Sequence, residues 1–339
     1  MDYIAFGELL MRLNPQGYKR LRNCSTLEVS YGGAEANVMA ALANFGLNTR
    51  FVTKLAKNEL SIAAVNQLRA HGIDVSGIVY GGDRLGIYFV EKGASYRQSK
   101  VVYDRKNSSI CLAKKDEFNW DKLLDGCCLF YTTGISAAIS ESCADITLSA
   151  LKSAKNKGVT CAFDINYRQS MWDFERAKKV LYEMCKQVDI LISNEEHLRL
   201  IFGITADPGF YNGSQLSNQG YADIAKKAAI KFGCSAVALT MRNGDTADFN
   251  KWGAMLYTKS GSYFSPVYDI QIKERIGAGD AFAAGLIYAL TNNYLGQDAI
   301  NFAAGCTVLK HTIELDFLEA GLDEVLAFVK SGGASRVLR

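Results

Sequence analysis

The chain has 339 residues, of which 49% are hydrophobic and 22% charged, with a formal net charge of +3. That length suits one α/β unit with a small appendage, and the balance supplies a sizeable core. So small a charge excludes nucleic acid or an anionic membrane surface as the main partner, though it leaves room for a local basic pocket that takes an acidic small molecule.

In chain order, "YIAF" reads as an opening strand and "AEANVMAALANFG" as a helix that stops at Gly46. "TRFVTKL" reads as a strand, and "NELSIAAVNQLRAHG" as a helix capped by Asn58 and ended by Gly72. "CCLFYTTG", "GVTCAFDIN", "VDILISNEE" and "SAVALTMR" read as further strands with helical runs between them, and helices return from about Gln297. Apolar strands separated by helices predict a mostly parallel sheet covered on both faces. Residues 10–33 and 84–110 break this rhythm: "LGIYFVEKG" and "RQSKVVYDRK" alternate with period two and have no helix between them. They predict a small antiparallel sheet projecting as a lid from a single domain spanning 1–339.

The nine cysteines form no C-x-x-C pair and read as buried reduced thiols, which fits a cytoplasmic location. The opening "MDYIAFGELLMRLNP" lacks the pattern of a secretory leader. No run approaches the roughly 18–20 apolar residues a membrane span needs. The phosphate-loop, dinucleotide, zinc-protease and nucleophile-elbow motifs are all missing. Three histidines are too few for a histidine-based metal site or triad.

The segment "GAGDAFAAGLIYAL" is apolar on every face after Asp280, which predicts a buried helix. Its N-terminus leaves backbone N–H groups unpartnered at the positive end of the helix dipole. Gly277 and Gly279, on either side of Ala278, permit close backbone approach, so the three form an anion hole suited to a phosphoryl group. Asp280 then has two readings, a helix cap or a base beside that hole. Gly32 and Gly33 precede another helix and would let a polyol approach the backbone, with Asn37 as donor and acceptor. "LTMRNGD" ends a strand in a turn and reads either as a plain β-turn or as a nucleotide contact.

"GAGDAFAAG" resembles the second signature of the ribokinase-like (PfkB) sugar kinases, and "YGGAEANVMAALANFG" resembles their first. The resemblance implies a three-layer α/β/α fold with a mostly parallel central sheet and a small β-sheet lid. It also implies ATP and magnesium as cofactors and a homo-oligomer formed through the lid. By the same resemblance Asp280 deprotonates the acceptor hydroxyl, and Asn166, Asn194, Thr240, Arg242 and Gly244 join Gly277 and Gly279 around the nucleotide. The family often carries Asn-x-x-Glu where this chain has Asn194 and His197, so Glu195 or Glu196 is the candidate to hold magnesium through water. Glu274, Arg275 and Ile276 replace a common Asp-Thr-Thr.

"VVYDRK" puts Tyr103 and Arg105 on one face of a lid strand, and "DINYRQSMW" exposes Arg168 at a strand end. An arginine fork is suited to a carboxylate, which a neutral sugar lacks. These segments resemble the 2-keto-3-deoxygluconate kinase branch, as do Tyr88 and the partial match at Asp316. The resemblance implies phosphorylation of that sugar acid on its terminal hydroxyl. A fructokinase is the alternative within enzymes, and a non-catalytic nucleotide-responsive binding protein is the alternative outside them.

Overall fold

The computed structural model describes residues 2–213, 215–243 and 246–332. The central sheet runs in the order Gly261–Phe264, Phe249–Thr258, Ala236–Asn243, Ile190–Ser193, Thr160–Asp164, Cys127–Thr133, Asp2–Phe6, Asn48–Leu55, Ile78–Tyr80. The strands from Ala236–Asn243 to Ile78–Tyr80 pair in parallel. Phe249–Thr258 then turns back antiparallel, where the turn after Ala236–Asn243 is too short for a crossover helix. The architecture is α/β with a mostly parallel central sheet, as the alternation of strands and helices predicts.

One core lies on each face of this sheet. The first packs Val38, Met39 and Leu42 of the helix Ala34–Asn44 against Phe282 and Leu286 of the helix Ala278–Thr291 and Phe302 of the helix Gly296–Thr312. The second gathers Phe130, Phe163 and Leu191 of the strands with Ile146, Leu181 and Ile224 of three other helices. Ala278–Thr291 is buried on all sides, as its apolar sequence demands; Phe282 is fully buried, and its truncation to Ala would cost about 3–5 kcal/mol. The predicted caps are in place: the Asn58 side chain accepts a bond from the Ser61 N–H, and Gly46 and Gly72 take positive φ. No helix among the described residues is long and apolar enough to cross a membrane.

A separate four-stranded sheet holds Glu28–Gly32, Leu10–Asn14, Gly86–Glu91 and Lys100–Asp104 in that order, all within the two segments that break the α/β rhythm. Its outer pairings are antiparallel, but the central pair, Leu10–Asn14 with Gly86–Glu91, is parallel. Register aligns Ser30, Arg12, Tyr88 and Tyr103 across the strands, so these four share one face. Val29, Leu13, Phe89 and Val102 form the matching row on the other face.

Candidate active site

A cleft of about 570 Å³ opens between the carboxyl edge of the central sheet and the Tyr88–Tyr103 face of the smaller sheet. Asp164 and Ser193 reach it from the ends of neighbouring strands and Thr240 from within the next, at the edge where open α/β sheets bind ligands. Gly277, Gly279 and Asp280 reach it from the N-terminus of the buried helix.

Gly277 is the N-cap of that helix with φ +82°, and no side chain caps the end. An added Cβ there would collide with the Asp316 carbonyl, so glycine is required both for its conformation and for this close approach. The Ala278 N–H donates to the Arg275 carbonyl at 3.3 Å, and the first-turn N–H groups that follow have no acceptor inside the helix, beside a cleft lined by Gly277, Gly279 and Asp280. Ala278 is buried behind them and is not part of the wall. The reading of Asp280 as a cap falls away, since its carboxylate accepts a bond from Asn37 Nδ2 at 2.6 Å instead of one from its own helix. Burial pushes Asp280 up from 3.8 to about 7; the Asn37 bond opposes this, while Asp164, Glu35 and Asp316 add to it. A carboxyl group poised there can take a proton at neutral pH.

The space beside Gly32 is taken by the Asp316 carboxylate and that beside Gly33 by the Glu8 carbonyl, so neither position has room for a side chain. Gly33 still lines the cleft, whereas Gly32 lies behind it. Asn37 is engaged at both ends, accepting from the Gly33 N–H at 3.3 Å and donating to Asp280, so it ties the two signatures together. Two positions before it, Glu35 Oε1 accepts from the Thr133 N–H and from the hydroxyls of Thr133 and Ser136, and burial raises its pKa.

Behind the cleft lies a network the sequence reading missed. Arg12, fully buried, donates to Asp316 Oδ1 at 2.7 Å and to Glu274 Oε2 at 2.5 Å. Tyr88 donates its hydroxyl to the other Asp316 oxygen, so Asp316 lines the cleft with its carboxylate already committed. Glu274 Oε1 accepts from the Arg275 and Ile276 N–H groups, ordering the backbone just ahead of Gly277. Arg275 in turn donates to the Thr246 and Ala247 carbonyls at 2.7 and 3.0 Å. The departure from Asp-Thr-Thr thus serves as a brace. A lone arginine inside "LLMRLN" was the available signal, because a charge in a buried strand must find partners.

Also on the wall, the Arg105 guanidinium lies 4.6 Å from the Tyr103 ring centroid, as their shared face predicts. It pairs with Glu8 at 2.5 Å and meets Met171 Sδ at 3.1 Å. Burial raises the Glu8 pKa more than Arg105 lowers it. Arg105 Nε is buried with no hydrogen-bond partner among the described residues. Arg168 lines the cleft too, exposed, and forms no ion pair among the described residues.

Asn166, Asn194 and Thr240 all lie on the wall. Asn166 holds φ +34°, its N–H bonded to Asp164 Oδ1 at 2.9 Å. Asn194 caps the helix Glu195–Phe202 by accepting from the His197 N–H at 2.7 Å. His197 joins the wall, but Glu195 and Glu196 do not, since successive helix positions rotate by about 100° and the third faces the cap. Arg242 lies in the strand paired with Trp252, and Gly244 lies outside the described residues. Among the described residues no group of three His, Cys, Asp or Glu could cage a metal. On the cleft wall Asp164 is a candidate carboxylate for an ion that arrives with phosphate ligands.

The sequence profile of the pfkB family carbohydrate kinases matches residues 2–314. A 2-dehydro-3-deoxygalactonokinase of Haloferax volcanii is 28% identical over 98% of both chains. A 5-dehydro-2-deoxygluconokinase of Geobacillus thermodenitrificans is 26% identical, covering 100% of this chain and 96% of its own. The crystal structure of a 2-dehydro-3-deoxygluconokinase from Thermotoga maritima superposes with a TM-score of 0.93 at 41% identity, covering 97% of this chain and 98% of that one.

Proposed function

The chain belongs to the pfkB family of carbohydrate kinases, and on that premise we propose that it phosphorylates 2-keto-3-deoxygluconate, also called 2-dehydro-3-deoxygluconate, on its terminal hydroxyl with ATP. The observation that carries this reading is Asp280: a buried carboxyl group brought to about 7 and set in the first turn of a helix whose N-terminus at Gly277 no side chain caps, in a cleft that Arg105 and Arg168 also line. Asp280 takes the proton of the hydroxyl as its oxygen bonds to the γ-phosphorus, and ADP departs with the electrons of the broken P–O bond. The helix N-terminus receives the negative charge that builds on the transferring group. Asp164 would hold magnesium, which would offset charge on the nucleotide.

Arg168 supports an acid acceptor over fructose, because a neutral sugar gives this exposed cation on the cleft wall nothing to pair with, and Arg105, held by Glu8, adds a second fork beside it. The relatives named above all act, by name, on keto-deoxy sugar acids. The smaller sheet acts as the lid, and its outer row, with Val29 and Val102 each 53% exposed, pairs with a second copy of the chain. Nine free cysteines fit a reducing cytoplasm. A coupled assay across 2-keto-3-deoxygluconate, its galactonate epimer, fructose and ribose tests the reading. ATP-dependent turnover should be highest with a keto-deoxy acid; preference for fructose or ribose would overturn it.

A further inference from the structure

Lys310 lies in the last turn of the helix Gly296–Thr312 and is fully buried. Its ammonium donates to the Ile313 carbonyl at 2.9 Å and the Leu315 carbonyl at 2.8 Å, both in the segment that leads to Asp316. Leu315 sits there at φ +62°, a conformation leucine rarely adopts and one that needs holding. The lysine stem runs beneath the anion hole, where an added Cβ on Gly277 would stand 3.0 Å from Lys310 Cε. Its charged neighbours are Glu274, Asp316 and Asp280 on the acidic side and Arg12 on the basic side.

Fold stability alone gives a weak account of this side chain. A buried ammonium carries a desolvation cost that a methionine of similar volume would avoid. Burial does push Lys310 down, to about 8, with Glu274 and Asp316 pulling the other way, so it remains mostly charged at neutral pH. A fixed positive charge just behind a pocket for phosphate acts on whatever occupies that pocket, and the low dielectric of the interior strengthens the effect.

We propose that Lys310 is a positioning residue that serves as an internal cation for the anion hole, strengthening its hold on a phosphoryl group and favouring the ionised form of Asp280. It touches neither substrate. It acts through the Gly277 backbone above it and through the Ile313–Asp316 segment it clamps. The Asp280 arm of this proposal rests on the kinase reading; the anion-binding arm does not.

The test compares Lys310→Met, which keeps the length and removes the charge, with Lys310→Arg, which keeps the charge. Asp280 is faced by Asn37 and Glu35 from one helix, by Asp164 and Tyr131 from two strands, by Lys310 from the helix Gly296–Thr312 and by Asp316 from the segment after it. Four of these are acidic groups whose charge, where present, opposes that of Asp280, so loss of the cation raises the carboxyl further. The acid limb of the kcat/KM profile should move up by roughly one pH unit in Lys310→Met and return most of the way in Lys310→Arg. Calorimetry with ATP in the absence of sugar should show about tenfold weaker binding in Lys310→Met and near-normal binding in Lys310→Arg. Circular dichroism and thermal melting establish that each variant is folded. A folded Lys310→Met with an unmoved acid limb and ATP affinity within about twofold of the parent would overturn the proposal, as would equal losses in both variants. If the parent turns over no sugar at all, the kinase reading fails, and ATP affinity by itself decides the role of Lys310.

Discussion

Replacing Asp280 with Asn tests the base and its environment together. The carboxyl titrates at about 7 in the folded chain against an ordinary 3.8, because burial disfavours its charge. Each pH unit between those values is worth about 1.36 kcal/mol, so near pH 7 the folded chain carries a penalty of about 4 kcal/mol for this group. Because the folded value lies above the unfolded one, both states hold the proton below about pH 4 and the penalty vanishes there. It grows as the pH rises through the window between the two values. Asparagine has the same shape, bears no charge, and can still present an oxygen to Asn37. Urea unfolding should therefore find Asp280→Asn more stable by about 2–4 kcal/mol at pH 7 and by less than about 1 kcal/mol at pH 4. Turnover should fall by ~10²–10⁴-fold, the contribution of a positioned base. A gain of equal size at both pH values, or turnover near that of the parent, would refute the reasoning.

Arg105→Ala should weaken affinity for the sugar acid by about 1.5–3 kcal/mol, the worth of a charge-assisted bond, seen as a raised KM with fructose turnover unaffected. An unchanged KM would move acid recognition to Arg168. Gly277→Ala forces a methyl group against the Asp316 carbonyl at φ +82°, so it should lower stability by more than ~1 kcal/mol and abolish turnover, read by thermal melting and the coupled assay. Arg12→Met leaves Glu274 and Asp316 buried without their guanidinium; denaturant titration should show a loss of about 3–5 kcal/mol, and a loss under ~1 kcal/mol would mean the network is solvated.

Legibility in the sequence followed the range of the interactions. The helix Ala278–Thr291 was plain because its apolar faces are written in consecutive residues, and the break in the α/β rhythm marked the smaller sheet by its period of two. Tyr103 and Arg105 could be placed on one face from spacing alone. The partners were not legible. Glu274 and Asp316 lie 262 and 304 residues from Arg12, and Glu8 lies about as far along the chain from Arg105 as Asn37 does from Tyr131, so no local pattern announces either pairing. The glycine pair Gly32–Gly33 was visible, but what fills the space beside it comes from Asp316 and Glu8. Glu195 and Glu196 came from the family resemblance as candidates to hold magnesium through water, and it is His197 beside them that lines the cleft.

By itself the sequence determined the layering, the buried helix with its open N-terminus, and the residue types available for phosphoryl chemistry, because propensity and periodicity act between near neighbours. Only the tertiary structure decided how those groups are charged and held. Burial and the company of Asp164, Glu35 and Asp316 bring Asp280 to about 7, and Arg12 and Lys310 gather behind the hole from opposite ends of the chain. Desolvation and Coulomb terms depend on distances through space, and those exist only once the chain has closed on itself.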